Sequence, residues 1–417
     1  ENRDVPRPKM GSLHLGKTAD LEAWWNYLPS QKALEQAEAS TDLSSPALRI
    51  LALLDSQRSL FDEFAEAADR PHAHLSPPLL HAEIDGSLLL LEMPHFSPIL
   101  DLSHTIYLRA VAAARVAQGG SPESKITIDS LRTLCRLAEL SASDGMMIGQ
   151  LVSAGVWRMF TEAVWECQRN DSLSAEQWAT LQNDLSRIEI EAMLFRAMQM
   201  EMIFTLETLD QSKREFESFL DASGMREPEH RFLRLLPRGV FRQNQATIVE
   251  RYLEGVLGPL KRGGVRGYLE HFVTGEALNW EEGSWFPPDQ LLAGKVFPTV
   301  DIVIRRIAFN VILIDQVKTA CALERYRLAE GNGANYPERL DELVPFYLDV
   351  LPRDLVAEAS VQYQVLESEG YRLWSCGFDG RDDAGEMNFK KVKKPDPLDL
   401  RRSDYLGDWT WEVRRDH

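Results

Sequence analysis

Behind Ser174, the residues Leu181, Leu185, Ile188, Ala192, Phe195, Met202 and Leu206 recur at intervals of three and four, and Gln199 is the break in the stripe. That period puts the side chains along one face of an α-helix. A second stretch, Thr299 to Gly331, carries Ile302, Ile307, Val311, Ile314, Val317, Cys321 and Leu328 along one side. Helices with one apolar stripe must bury it against other helices or a sheet, so the chain is constrained to a mainly α architecture. Its 417 residues exceed one core of ordinary size, which predicts two or three domains.

Start and stop signals subdivide the helical part. Ser45 before Pro46 and Ser97 before Pro98 each place a capping side chain ahead of a residue whose missing N–H costs nothing at the first helical position. They predict helices over Pro46 to Asp69 and Pro98 to Gln118, the second stopped by Gly119 and Gly120. Between them LLHAEI and SLLLLEM flank Asp85 and Gly86, a pair that suits a hairpin turn. From Ile126 onward the pattern is helical for over a hundred residues, and Ser174 with Gln177 forms a capping-box pair. Met225 to Pro298 is richer in proline, with basic clusters at Arg231 to Arg242 and Lys261 to Arg266; it reads as a connector holding one helix, about Gln243 to Leu257.

The last quarter changes character. Pro337 starts a short helix with Leu340 and Leu343 facing inward, and Pro345 and Pro352 end it. Val361, Tyr363 and Val365, then Tyr371 and Leu373, alternate with polar neighbours and predict a β-hairpin. Its second strand runs into GFDGRDDAGE, where three aspartates and a glutamate supply hard oxygen donors of the kind calcium takes in six to eight positions. This order of YPERLDELVPFYLDVLP, hairpin and acidic glycine-rich loop after a long helix resembles the globular domain of the major pseudopilins of type II secretion. The resemblance implies a spine helix, a small antiparallel sheet, a place in the cell envelope and a calcium ion held by Asp379, Asp382 and Asp383. Arg381 within the loop and RDLVAE at Arg353 to Glu358, where the family has an aspartate-proline-tryptophan-glycine turn, depart from the pattern. The region Arg70 to Leu209 is also similar to uncharacterised bacterial envelope proteins that carry such a tail.

Other motifs fail on context. Gly11, Gly16, Lys17 and Thr18 satisfy G-x-x-x-x-G-K-T, but a phosphate-binding loop needs a strand feeding it, and ENRDVPRPKM cannot supply one. Glu92 to His95 and Glu227 to His230 have E-x-x-H spacing, yet each includes a proline. The loose cluster His72, His74 and His81 lacks a completing ligand. Four cysteines, Cys135, Cys167, Cys321 and Cys376, fit no metal pattern and read as small buried apolar groups. The methionines Met193, Met198, Met200 and Met202 fall on helical core spacing.

The 64 acidic and 46 basic residues leave a net charge of −18, which repels nucleic acid and anionic surfaces unless a local basic patch intervenes. No apolar run reaches the ~20 residues of a membrane span. A chain opening on Glu1 is expected to have lost an N-terminal segment that tethered it. Taken together the expectation is mainly α, an antiparallel and possibly repeat-like helical domain followed by a small α+β pseudopilin-like domain. The boundaries are 1–224, a connector 225–298, and 299–417. The expected function is a non-enzymatic envelope scaffold that binds a protein partner, with calcium as a possible cofactor. Two alternatives stay open: an envelope enzyme or anionic-ligand-binding protein with its site between helical domain and tail, and nucleotide binding.

Overall fold

A computed structural model describes residues 8, 10, 16–28, 45–70, 93, 95–212, 237–273, 293–330, 335–357, 360–366, 370–377, 380–388 and 406–415. Helices dominate. They are α1 (Leu21–Tyr27), α2 (Pro46–Asp55), α3 (Arg58–Ala68), α4 (Phe96–Val116), α5 (Pro122–Ser143), α6 (Met147–Arg169), α7 (Ala175–Ser186) and α8 (Ile190–Ser212). After them come α9 (Arg238–Arg251), a π-helical turn (Tyr252–Leu257), α10 (Gly258–Val273) and α11 (Ala293–Ala329). A 3₁₀ turn (Leu340–Leu343) leads into β1 (Gln362–Leu366) and β2 (Gly370–Ser375), then β3 (Met387–Asn388), β4 (Leu406–Gly407) and β5 (Trp409–Val413). The sheet order is β1-β2-β5, antiparallel throughout, with β3 and β4 as a separate two-stranded ladder.

Side-chain caps at Asp20, Ser45, Ser121 and Ser174 account for four of the helix starts. Ser45 accepts from Leu48 N at 3.3 Å, Ser121 from Ser124 N at 3.2 Å, and Ser174 with Gln177 closes the expected capping box. Three boundaries differ from the sequence reading. The segment from Pro46 is two helices, because the chain turns at Ser56 and Gln57, where Gln57 N bonds back to Leu54 O at 2.9 Å. Helix α4 starts at Phe96 with His95 as an uncapped N-terminus, so Ser97 lies inside the first turn rather than before it. The connector is largely helical across 238–273, since Pro237 occupies the cap of α9, where no N–H is needed, and Pro259 sits where the π-helical turn passes into α10. The hairpin expected around Asp85 and Gly86 lies outside the described residues.

Two large apolar clusters and a small one around Phe96, Ile99 and Val152 organise the described residues. The larger joins helices to sheet: Tyr107, Trp157, Phe160, Trp165 and Trp178 pack in one cluster with Val317, Cys321, Leu343, Tyr371, Leu373, Trp411 and Val413. The second gathers Leu194, Met198, Ile248, Tyr252, Val265 and Tyr268 with Val300 to Ala308 of α11. Helix α11, roughly 55 Å at the standard helical rise, thus contributes one half to each cluster. It begins ahead of Pro298, the expected start. Gly264 adopts φ +62°, and a Cβ there would lie 2.5 Å from Glu191 Oε1; the same oxygen accepts from Val265 N at 2.8 Å and pins α10 to α8. All four cysteines are free and buried. Among the described residues no helix is long and apolar enough to cross a membrane.

Candidate functional site

The acidic loop leaves the end of β2 and is held from two sides. On one, buried Asp354 accepts from Ser375 Oγ and Cys376 N, each at 2.7 Å, and from Val356 N and Ala357 N at 2.8 and 2.9 Å. That carboxylate fastens the 353–357 segment to the strand end. On the other, Asp408, between β4 and β5, accepts from Asp383 N at 2.9 Å and Gly385 N at 2.7 Å through Oδ2. Thr410 Oγ1 donates to Gly385 O at 2.9 Å, and Gly380, Ala384 and Gly385 take positive φ values that turn the chain tightly.

Of the expected ligands, Asp382 and Asp383 are exposed on this loop, and Asp379 lies outside the described residues. Asp382 Oδ1 already accepts from Trp374 Nε1 and Ala384 N, both at 2.9 Å. The residue the sequence reading missed is Asp408. It is 1% exposed, its Oδ1 has no hydrogen-bond partner, and burial pushes its carboxyl up to about 6, with Asp382 and Asp383 adding like charge against the two backbone donors. A buried carboxylate oxygen with no donor, beside two further carboxylates, suits a hard cation that would supply the missing counter-charge. Among the described residues, however, no group of three or more His, Cys, Asp or Glu is already arranged to hold a metal ion. The signal for Asp408 was present in the sequence: Trp409, Trp411 and Val413 alternate with Thr410 and Glu412, the strand period, and Asp408 stands at the strand's start.

The opposite end of the sheet carries a different polar cluster. Glu324 of α11, 1% exposed, accepts through Oε1 from Gln168 Nε2 (3.1 Å), Tyr336 Oη (2.7 Å) and Arg415 Nη2 (3.0 Å), and through Oε2 from Arg327 Nε and Arg415 Nη2, both 2.9 Å. Tyr371 Oη and Gln168 Nε2 are 2.7 Å apart, and Trp411 Nε1 donates to Gln168 Oε1 at 2.8 Å. Asp171 pairs with Arg327 and Arg415 at the rim. Two acids face two guanidinium groups here, so the charges cancel within the cluster. Two more donors, Trp165 Nε1 to Glu412 O and Gln316 Nε2 to Trp409 O, both 2.7 Å, occupy carbonyls of the edge strand β5.

Burial raises three other carboxyls, Asp129, Glu201 and Asp301. Desolvation pushes Glu201 up to about 7 and Asp301 to about 6, inside the second cluster where Asp301 Oδ2 lies 2.5 Å from Arg305 Nη2. Both are held in close packing between helices, which makes them structural groups in the first instance.

The remaining sequence motifs are not assembled. Lys17 and Thr18 are exposed, Gly11 lies outside the described residues, and Asp20 caps the following helix by accepting from Ala23 N at 3.0 Å, where a phosphate would have to sit. His95 faces Asp144 at 3.2 Å; Glu92, Glu227, His230, His72, His74 and His81 lie outside the described residues. Of the connector's basic residues, Arg266 bonds Glu270 at 2.7 Å. No protein-family model, curated protein or solved structure matches this chain.

One surface feature stands apart. On the segment after the 3₁₀ turn, Phe346 is 81% and Val350 75% exposed, while Leu343 beside them is fully buried. Asp341, Glu342 and Asp349 are exposed around them.

Proposed function

We propose that the chain is a non-enzymatic envelope scaffold that binds a protein partner, a helical domain carrying a pseudopilin-like tail with calcium as the cofactor of its acidic loop. The observation that carries the binding role is the exposure of Phe346 and Val350 on a segment anchored by Leu340 and Leu343 in the core. A large aromatic presented on a rigid support is the usual kind of anchor at a protein interface. The acidic rim of Asp341, Glu342 and Asp349 selects a partner that is apolar at its centre and basic at its edge. The order of short helix, hairpin and acidic loop supports the pseudopilin-like reading, and envelope placement rests on that likeness.

A photo-crosslinking residue at position 346 in cells making the full chain should give one dominant adduct that the same probe at exposed Arg58 does not. The identified partner, purified, should lose at least about tenfold in affinity for Phe346→Ala combined with Val350→Ser, with melting unchanged. Equal adducts at both positions, or a catalytic turnover abolished by replacing one acidic or histidine residue, would refute the reading.

A further inference from the structure

Where the end of α3 meets α5 and the end of α7, a cleft of about 370 Å³ is lined by four arginines: Arg70, Arg132, Arg136 and Arg187. Three acids share it, Asp69, Glu139 and Asp184. The acids are already committed. Arg132 Nε bonds Asp184 Oδ2 at 2.6 Å and its Nη2 bonds Asp69 Oδ1 at 2.9 Å, while Arg136 pairs with Glu139 and donates to Arg70 O at 2.7 Å. These bonds tie three helices together and account for Arg132 and Arg136 as structural clamps.

They do not account for Arg70 and Arg187. Both guanidinium groups are exposed and have no carboxylate partner among the described residues, and the buried Nε of Arg136 has no acceptor. Four cations against three anions leave the cleft positive in a chain whose net charge is −18. Unpaired arginines gathered on a concave surface, against the sign of the whole molecule, are what an anion site requires. The arginines come from α5 and from the chain just past α3 and α7, and guanidinium groups bond phosphate-type oxyanions bidentately. The floor is Cys135, whose thiol burial pushes well above its ordinary range, so it offers no nucleophile and the chemistry is binding alone.

We propose that this cleft binds a phosphate-type oxyanion, held chiefly by Arg70 and Arg187 and steadied by Arg132 and Arg136. The site lies within the helical domain, distinct from both the acidic loop and the Phe346 surface, and stands or falls independently of the docking role. The phosphate group could arrive free or as an anionic lipid headgroup at the envelope.

Two titrations at low ionic strength separate these sources. Inorganic phosphate, against acetate at matched ionic strength, should raise the melting temperature of the full chain; co-sedimentation with phosphatidylglycerol vesicles, against phosphatidylcholine, tests the headgroup. Arg187→Ala should weaken whichever response appears by about tenfold, and adding Arg70→Ala should abolish it, while Arg58→Ala, an exposed arginine outside the cleft, should change nothing. Both substituted residues are exposed, so folding is retained, as circular dichroism would verify. A phosphate response with no lipid response identifies a free ligand, and the reverse identifies a headgroup. Equal responses to acetate, a response that survives the double substitution, or no response to either probe would overturn the site.

Discussion

Glu324 and Asp408 are both carboxylates with almost no solvent contact, set at opposite ends of the same three-stranded sheet, and their surroundings differ in kind. Around Glu324, two arginines, a tyrosine and a glutamine fill the acceptor positions of both oxygens. Around Asp408, two backbone N–H groups share one oxygen, the other has no donor, and the nearest charges are negative. The first arrangement is complete and seats the C-terminal strand on the helices. The second is incomplete, with one buried carboxylate oxygen left unsatisfied.

The contrast breaks most visibly at Glu324. Glu324→Ala would leave Arg327 and Arg415 buried without the carboxylate they share, and removal of one partner from a buried ion cluster costs about 3–5 kcal/mol. Urea unfolding at pH 7 measures it. A loss under about 1 kcal/mol would mean that apolar packing alone seats the tail and that the network is incidental.

Asp408 should behave in the opposite sense. Its folded pKa, about 6, lies above its ordinary value of 3.8, so without a cation the folded state holds its proton longer than the unfolded one. Stability from this group is fully present below pH 4 and is lost as pH rises through about 6; the loss should be about 1–2 kcal/mol, because exposed Asp382 and Asp383 beside it leave water free to screen. Asp408→Asn should flatten that slope. Calcium competes with the proton, so at a hundred times its Kd it should stabilise by about 2.7 kcal/mol at pH 7.5 and by less at pH 5. Asp408→Asn and Asp382→Ala should each remove the response. A calcium-independent melting curve at pH 7.5 would end the metal proposal and leave Asp408 as a loop fastener.

How far these two regions could be read in advance follows from what each depends on. Ser174 with Gln177, the stripe through Leu181 and Leu185, and the alternation of Tyr371 and Leu373 are local patterns, and the structure realises them as cap, helix and strand. Asp382 and Asp383 could be found because they are consecutive with the loop they occupy. Asp408 acts on the same loop across a gap of 25 residues from Asp383, and the pairings of β4 with β3 and of β5 with β2 bring it there. The Glu324 cluster draws on α6, α11, the sheet and the chain end, so no window of sequence holds it. The same applies to the arginine cleft, where Arg132 and Arg136 share a helix face but Arg70 and Arg187 come from two other elements. Val365 shows the converse: it alternates as a core residue should, yet is 41% exposed because β1 is an edge strand.

The smallest test concerns the bond that links the two ends of the comparison through the sheet itself. Trp374 on β2 donates from Nε1 to Asp382 Oδ1 at 2.9 Å, fixing the loop's exposed carboxylate to the strand whose first residues, through Tyr371, join the Glu324 cluster. Trp374→Phe keeps most of the apolar contact and deletes the donor, so it should cost about 0.5–1.5 kcal/mol in the absence of calcium. If calcium draws Asp382 toward Asp408, the same substitution should cost less, or nothing, with calcium bound, because the oxygen would then have another partner. An equal cost in both conditions would place Asp382 outside the ion's reach and confine any metal binding to Asp408 and the loop backbone.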